Sequence, residues 1–98
     1  MFIVLLNYVK PIADVEAHTP AHRAYLDRHY ASGRLICSGP RVPRTGGVLL
    51  ARGDDEAELR ALLADDPFQV HGIAEYELIR FQPGKHDPAF APFLAPLA

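Results

Sequence analysis

The fold of this chain is decided by its first strand-forming stretch, Phe2-Ile3-Val4-Leu5-Leu6-Asn7-Tyr8-Val9. The stretch is short, almost continuously apolar and followed by Lys10-Pro11, a pattern typical of a strand that is buried on both faces. Successive side chains of a strand point to opposite faces, so two apolar rows result. Each row needs a covering layer, and the rows are Phe2, Val4, Leu6 and Tyr8 on one face and Ile3, Leu5 and Val9 on the other.

A helix and a hairpin are predicted after this strand. Thr19 offers a capping hydroxyl, Pro20 suits the first helical position, and Gly33 suits a left-handed helix terminus. We therefore predict a helix from Pro20 to Gly33. Residues 35–39 and 47–52 are short apolar segments joined by a connection that contains proline and glycine, which predicts an antiparallel hairpin.

The last part of the domain repeats the order helix, then strand. Asp54 or Asp55 can cap a second helix, whose apolar residues recur at helical spacing. This helix should end near Asp65, because the residue before Pro67 avoids the helical conformation. Apolar residues along 73–81 predict the final strand.

The order of these elements predicts an α+β, ferredoxin-like βαββαβ domain over residues 1–82. Its four-stranded antiparallel sheet would carry both helices on one face. The open face would expose the row that includes Ile3 and Leu5, and we expect a second copy of the chain to cover it in a homodimer. Residues 83–98 form a tail that is too rich in proline for a regular element, and we expect it to lie against the partner subunit or to fray.

Composition and charge narrow the class of protein further. The chain has 98 residues, of which 49% are hydrophobic, and a net charge of -2, as in one ordinary globular domain. It has no broad positive field and no apolar run near the roughly 18 residues that span a bilayer, so we predict neither nucleic-acid nor membrane partners. The residues after Met1 do not have the pattern of a secretory signal. Cys37 is the single cysteine, and we expect it to serve as a small, buried apolar side chain. A cytoplasmic location fits both observations.

Two distant motifs indicate a functional site. His22 lies three residues after Thr19, in the first turn of the predicted helix, where the positive helix end favours a neutral imidazole. Asp66 lies before Pro67, where the second predicted helix ends. A histidine beside an aspartate can transfer protons at neutral pH, so we predict His22 as the general acid or base and Asp66 as the residue that orients it. A solvated histidine and a simple Asp-Pro turn are the structural alternatives, and both stay open here.

Three more residues are candidates for contact with a small-molecule ligand. Tyr25 lies one helical turn after His22, Ser38 lies at the end of the second predicted strand, and His71 follows the Asp-Pro turn. Each also has a structural alternative, as a core tyrosine, a strand end or a solvated loop histidine. His18 and His22 are four residues apart but lack a third ligand at a suitable spacing, so we predict no metal site.

The ordered set of motifs resembles the YCII-related family of small bacterial proteins, from Phe2 to about Phe81. The motifs that carry the resemblance are His22 with Tyr25-Leu26, Gly33-Arg34-Leu35, Ser38-Gly39-Pro40, Gly47, Asp66-Pro67-Phe68 and Gly72. The resemblance implies a ferredoxin-like dimeric α/β barrel with a cleft in which His22 and Asp66 are the proposed active-site pair. It also implies kinship with dehalogenases related to muconolactone isomerase, which act on chlorinated intermediates of aromatic degradation. The apolar, proline-rich tail after Phe81 is not a motif of the family, and the connection Arg41–Thr45 need not match that of any characterised enzyme of the family.

Two functional hypotheses from different classes follow. The first is a cofactor-independent lyase, isomerase or dehalogenase that acts on a small organic anion. Arg41 and Arg44 in the hairpin connection can attract a carboxylate or can serve solubility alone. The second hypothesis is a non-catalytic dimer that binds a small ligand in the same cleft. A third reading, an RNA-binding domain with the same order of elements, lacks the strand aromatics and basic surface that such domains use.

Overall fold

The elements follow the predicted order, with one additional short helix and a 3₁₀ helix. The computed structural model describes residues 1–96. Its elements are β1 (Phe2–Tyr8), α1 (Ile12–Ala31), β2 (Leu35–Pro40), β3 (Gly46–Ala51), α2 (Glu56–Leu63), α3 (Pro67–Val70), β4 (Ala74–Arg80) and a 3₁₀ helix (Pro88–Leu94). The sheet order is β2-β3-β1-β4, and every neighbouring pair is antiparallel. The predicted α+β, ferredoxin-like fold is thereby confirmed.

Strand β1 lies at the centre of the sheet, between β3 and β4. Its residues Phe2, Val4 and Leu6 point to the helical face and are at most 1% exposed. Complete burial of one such side chain contributes about 1.5–3 kcal/mol, so this row is a large part of the core energy. The opposite row is only half-buried within one chain at Ile3 and Leu5.

Helix α1 begins at Ile12, so the predicted start at Pro20 is wrong. Thr19 does not cap the helix, because its hydroxyl donates to the Val15 carbonyl oxygen at 2.7 Å. Val15 is completely buried and anchors the first turns to the core, which compensates for the backbone hydrogen bond that Pro20 cannot make. His22 therefore lies in the third turn, beyond the reach of the positive helix end. Gly33, with a φ of 80°, ends the helix as predicted.

In the second half of the domain, the structure shows which aspartate caps α2 and contains one helix that was not predicted. Asp55 caps α2, because its carboxylate accepts a hydrogen bond from the backbone N–H of Glu58 at 3.1 Å. The short helix α3 was not predicted, since four residues are too few to show a helical pattern. Asp66 caps α3 through the N–H of Phe68 at 3.0 Å, and Pro67 occupies the first turn.

Two further expectations are corrected by the structure. Cys37 is exposed, because a bulge between Leu35 and Cys37 shifts the register and pairs Cys37 with Leu50 on the open face of an edge strand. The tail does contain a regular element, the 3₁₀ helix, whose first turn is capped by Asp87. Leu97 and Ala98 of the predicted tail lie outside the described residues. Within residues 1–96, no helix has the length and apolar character needed to cross a membrane.

Candidate active site

His22 and Asp66 are in direct contact, although 44 residues separate them in sequence. The distance between His22 Nδ1 and Asp66 Oδ1 is 2.7 Å, and the side chains are 11% and 0% exposed. The imidazole also stacks on the Phe68 ring, with centroids 3.9 Å apart and an interplanar angle of 6°. Both the position and the plane of the imidazole are therefore held from two sides by the loop that precedes α3 and by α3 itself.

The Asp66 carboxylate is a fully buried acceptor of three hydrogen bonds. Besides His22, the backbone N–H of Phe68 donates to Oδ1 and the phenol of Tyr76 donates to Oδ2 at 2.5 Å. A buried carboxylate needs such compensation, because an unpaired charge in the interior is costly. The local sequence Asp66-Pro67-Phe68 explains the geometry, since proline directs the chain into α3 and aspartate is a favoured helix cap.

Tyr76 is the site residue that the sequence analysis missed. It lies on the helical face of β4, opposite Leu6 of β1. Burial, followed by the charge of Asp66, raises the pKa of the Tyr76 phenol, so the group stays protonated and acts as a donor. A signal was present in the sequence: a tyrosine on the inward face of a strand usually needs a polar partner for its hydroxyl. The sequence could not show that the partner is Asp66.

The hydrogen bonds around Asp66 also assign the tautomer of neutral His22. Because Tyr76 and the Phe68 N–H are both donors, the Asp66 carboxylate serves as the acceptor, and Nδ1 of His22 must donate to it. Nε2 is then the nitrogen that has a free lone pair. His22 lines a cavity, so this lone pair is available to a ligand. A histidine held in one tautomer by a carboxylate is suited to accept a proton through its other nitrogen.

The cavity beside His22 has a volume of about 480 Å³, within the range of small-molecule sites. It lies between α1, α3, the end of β1 and the hairpin formed by the end of β2 and the start of β3. Its polar lining includes Arg23, Ser38 and Arg44, and no aspartate or glutamate is among the lining residues. The lining therefore carries two positive charges and no negative one, while Arg44 also contacts Glu16 outside the lining. The Ser38 hydroxyl accepts a hydrogen bond from Tyr30 at 2.5 Å, which holds it at the cavity wall.

The structure places the other two predicted ligand contacts elsewhere. Tyr25 is 2% exposed and donates its hydroxyl to the Leu62 carbonyl oxygen at 2.7 Å, so it joins α1 to α2 within the core. Burial raises the pKa of its phenol. His71 is exposed and stacks on His18, with ring centroids 4.2 Å apart. Neither Tyr25 nor His71 lines the cavity, whereas His22 and Ser38 do.

A second cavity, of about 500 Å³, lies at the opposite end of the sheet. It is formed by the start of β1, the end of β3, the start of α2 and the tail, and contains both Arg34 and Glu58. Arg34 is engaged there by Glu58 and by the Arg52 carbonyl oxygen. Among residues 1–96, no cluster of three or more metal-ligating side chains is present. We therefore place the candidate site at the cavity that His22 lines and that the His22–Asp66 pair borders.

Fold and site together define a small α+β protein with a buried His–Asp pair at the wall of a cavity. The family model of the YCII-related domain matches residues 1–82, and the chain belongs to this family. A similar solved structure is that of 5-chloro-2-hydroxyhydroquinone dehydrochlorinase (TftG) from Burkholderia phenoliruptrix AC1100, in complex with 2,5-dihydroxybenzoquinone. The TM-score is 0.72 and the identity 22%, over 89% of this chain and 99% of that chain. At this identity the likeness shows a shared fold. No match was found among the curated proteins.

Proposed function

We propose that this protein is a cofactor-independent enzyme that transfers protons on a small organic anion, in a lyase, isomerase or dehalogenase reaction. The observation that carries the proposal is the contact of His22 with the fully buried Asp66 at the wall of a cavity. The contact of Nδ1 with Asp66 leaves Nε2 as the nitrogen that can exchange a proton with a ligand in the cavity. The positive lining of the cavity supports an anionic substrate.

The proposed reaction begins when Nε2 of His22 takes a proton from a C–H or O–H bond of the substrate. The electron pair of that bond moves into a new double bond, and in a dehalogenation the halide leaves with the electron pair of the carbon–halogen bond. In an isomerisation, Nε2 returns the proton to another carbon instead. Asp66 stabilises the imidazolium that forms, and Tyr76 and the Phe68 N–H keep the carboxylate in place.

The similar solved structure supports the dehalogenase form of this proposal. Its name describes the removal of hydrogen chloride from a hydroxylated aromatic ring, which requires a general base. The fold of this chain is the same, and its cavity has room for one such ring. The substrate of that protein, which has no carboxylate, is therefore a probe of the elimination chemistry alone.

The test is chloride release from 5-chloro-2-hydroxyhydroquinone, together with solvent deuterium exchange into small enolisable carboxylic acids. We expect His22→Asn to lower the rate by about 10²–10⁴-fold, the usual contribution of a general base. His18→Asn is the matched control, because His18 lies one turn earlier on α1 and outside the cavity lining. Equal rates for wild type and His22→Asn would remove His22 from the chemistry. Binding of these compounds without turnover would favour the second candidate, a non-catalytic ligand-binding protein.

We also propose a homodimer formed through the open sheet face, with residues 1–82 as the folding domain and residues 83–98 as an appended tail. The register places one apolar set on that face: Ile3, Leu5, Val48, Leu50 and Ile79. Ile79 is 42% exposed in the single chain, and a second copy of the same face would bury it. We expect Leu5→Arg to produce a monomer in light scattering coupled to size-exclusion chromatography. A wild-type protein that elutes as a monomer at micromolar concentration would contradict the dimer.

A further inference from the structure

We propose that Arg44 selects substrates with a carboxylate, by exchanging its contact with Glu16 for a contact with that group. This inference rests on the proposed function in assigning a substrate to the His22 cavity, and it narrows the substrate class to carboxylated organic anions. From the sequence alone, the arginines of the hairpin connection can bind an anion or can only confer solubility.

The two arginines of this connection have different surroundings. Arg41 donates to the side-chain oxygen of Asn7 at 2.9 Å and does not line the cavity. Arg44 lines the cavity together with His22. A carboxylated ligand in the cavity would therefore meet Arg44, together with Arg23 of α1, whereas Arg41 is engaged by Asn7 and lies outside the lining.

The present contact of Arg44 is easily exchanged. Its Nη1 lies 3.5 Å from Glu16 Oε1, at the limit of hydrogen bonding, and the two side chains are 42% and 63% exposed. Such long, solvated ion pairs contribute little to stability. A ligand carboxylate in the cavity can form a shorter, bidentate contact with the guanidinium group, which matches carboxylate geometry.

The exchange is selective because Glu16 and the ligand carboxylate carry the same negative charge and compete for Arg44. While Arg44 contacts Glu16, a neutral ligand gains nothing by displacing that side chain. A carboxylate replaces one negative charge with another, so the positive charge of Arg44 stays compensated. Since His22 and Arg44 belong to α1 and to the hairpin connection respectively, the carboxylate would lie at the loop side and the reacting atom at the helix side.

The test compares benzoate with its neutral analogue benzamide in NMR titrations of the full-length protein. We expect wild type to bind benzoate about tenfold more tightly, as one charge-assisted contact provides. Arg44→Gln should clearly reduce this preference, leaving only what Arg23 contributes, and Arg41→Gln should retain it in full. Glu16→Gln should strengthen benzoate binding, because it removes the competing carboxylate. A wild type without preference, an Arg44→Gln variant that keeps the full preference, or weaker benzoate binding by Glu16→Gln would each overturn the proposal.

This measurement does not depend on turnover, so the two proposals can fail separately. If benzoate selection depends on Arg44 but no reaction is found, the enzyme hypothesis fails and the binding assignment stands. If His22-dependent turnover is found and Arg44→Gln keeps the full preference for benzoate, the enzyme hypothesis stands and Arg44 has no role in selection.

Discussion

Tyr76→Phe tests whether the hydrogen bond behind the His–Asp pair holds the site together. The substitution removes one hydroxyl and leaves the ring in place. Its partner, Asp66 Oδ2, is in a side chain with 0% exposure, and the lost contact is 2.5 Å long. A hydrogen bond to a charged group contributes about 1.5–3 kcal/mol. We therefore expect the free energy of unfolding to fall by about 2 kcal/mol, or the melting temperature by about 10 °C for a domain of this size.

Urea unfolding at neutral pH measures this loss, with Tyr30→Phe as the matched control. The Tyr30 hydroxyl donates to Ser38 at the same distance, but between exposed groups, so its removal should cost less than about 1 kcal/mol. A Tyr76→Phe variant within about 0.5 kcal/mol of wild type would refute the argument that this contact compensates a buried charge. Equal losses in the two variants would refute it as well, because burial would then make no difference.

Tyr76 should also affect how the free energy of unfolding changes at alkaline pH. Burial and the nearby Asp66 charge raise the pKa of Tyr76 in the folded protein, whereas an unfolded tyrosine ionises near pH 10. The unfolded chain therefore releases protons that the folded chain keeps, and stability must fall as the pH rises above about 10. Tyr76→Phe should show a shallower fall. An identical slope for both proteins in urea unfolding above this pH would contradict the assignment.

The remaining predictions concern the helix ends. Burial, with the charges of Arg28 and Arg34, lowers the pKa of His29 in the folded protein, so wild type should lose stability as the pH falls through about 6.5, where the unfolded histidine takes up its proton. His29→Gln should lose less stability between about pH 7.5 and 5.5 in urea unfolding, and an equal loss would contradict this. Asp55→Ala removes the cap of α2 and should cost about 1 kcal/mol, while Asp54→Ala, one residue earlier, should cost less than half of that. Equal costs would show that the cap is not the source of the effect.

Much of the fold could be predicted because it depends on local patterns. The apolar run of β1, the Gly33 terminus of α1 and the glycine-containing hairpin connection are all visible within a few residues of sequence. The predicted start of α1 was wrong because Pro20 has the features of a first helical residue. Only the burial of Val15 in the core shows why the helix begins eight residues before Pro20, at Ile12. The predicted burial of Cys37 was wrong because a bulge moves every residue that follows it in the strand to the opposite face of the sheet.

In the candidate site, too, the residues with local motifs could be predicted, and those defined by contacts between remote elements could not. His22 and Asp66 were identified from their residue types and local motifs, and the structure brings them to 2.7 Å. Tyr76 was missed because its hydroxyl partner lies on another element, beside α3. Tyr25 was assigned to the site from its helical spacing, but that spacing does not show that its hydroxyl reaches the Leu62 carbonyl oxygen instead.

By itself, the sequence determined the order of the four strands and the two longer helices, since these follow from periodicities of two and 3.6 residues and from local capping and turn residues. It also supplied a histidine and an aspartate that can share a proton. Only the tertiary structure decided that Tyr76 supports Asp66 and that Arg44, unlike Arg41, faces the cavity. These relations depend on distances between side chains that are remote in sequence, and such distances arise from the packing of whole elements rather than from any local pattern.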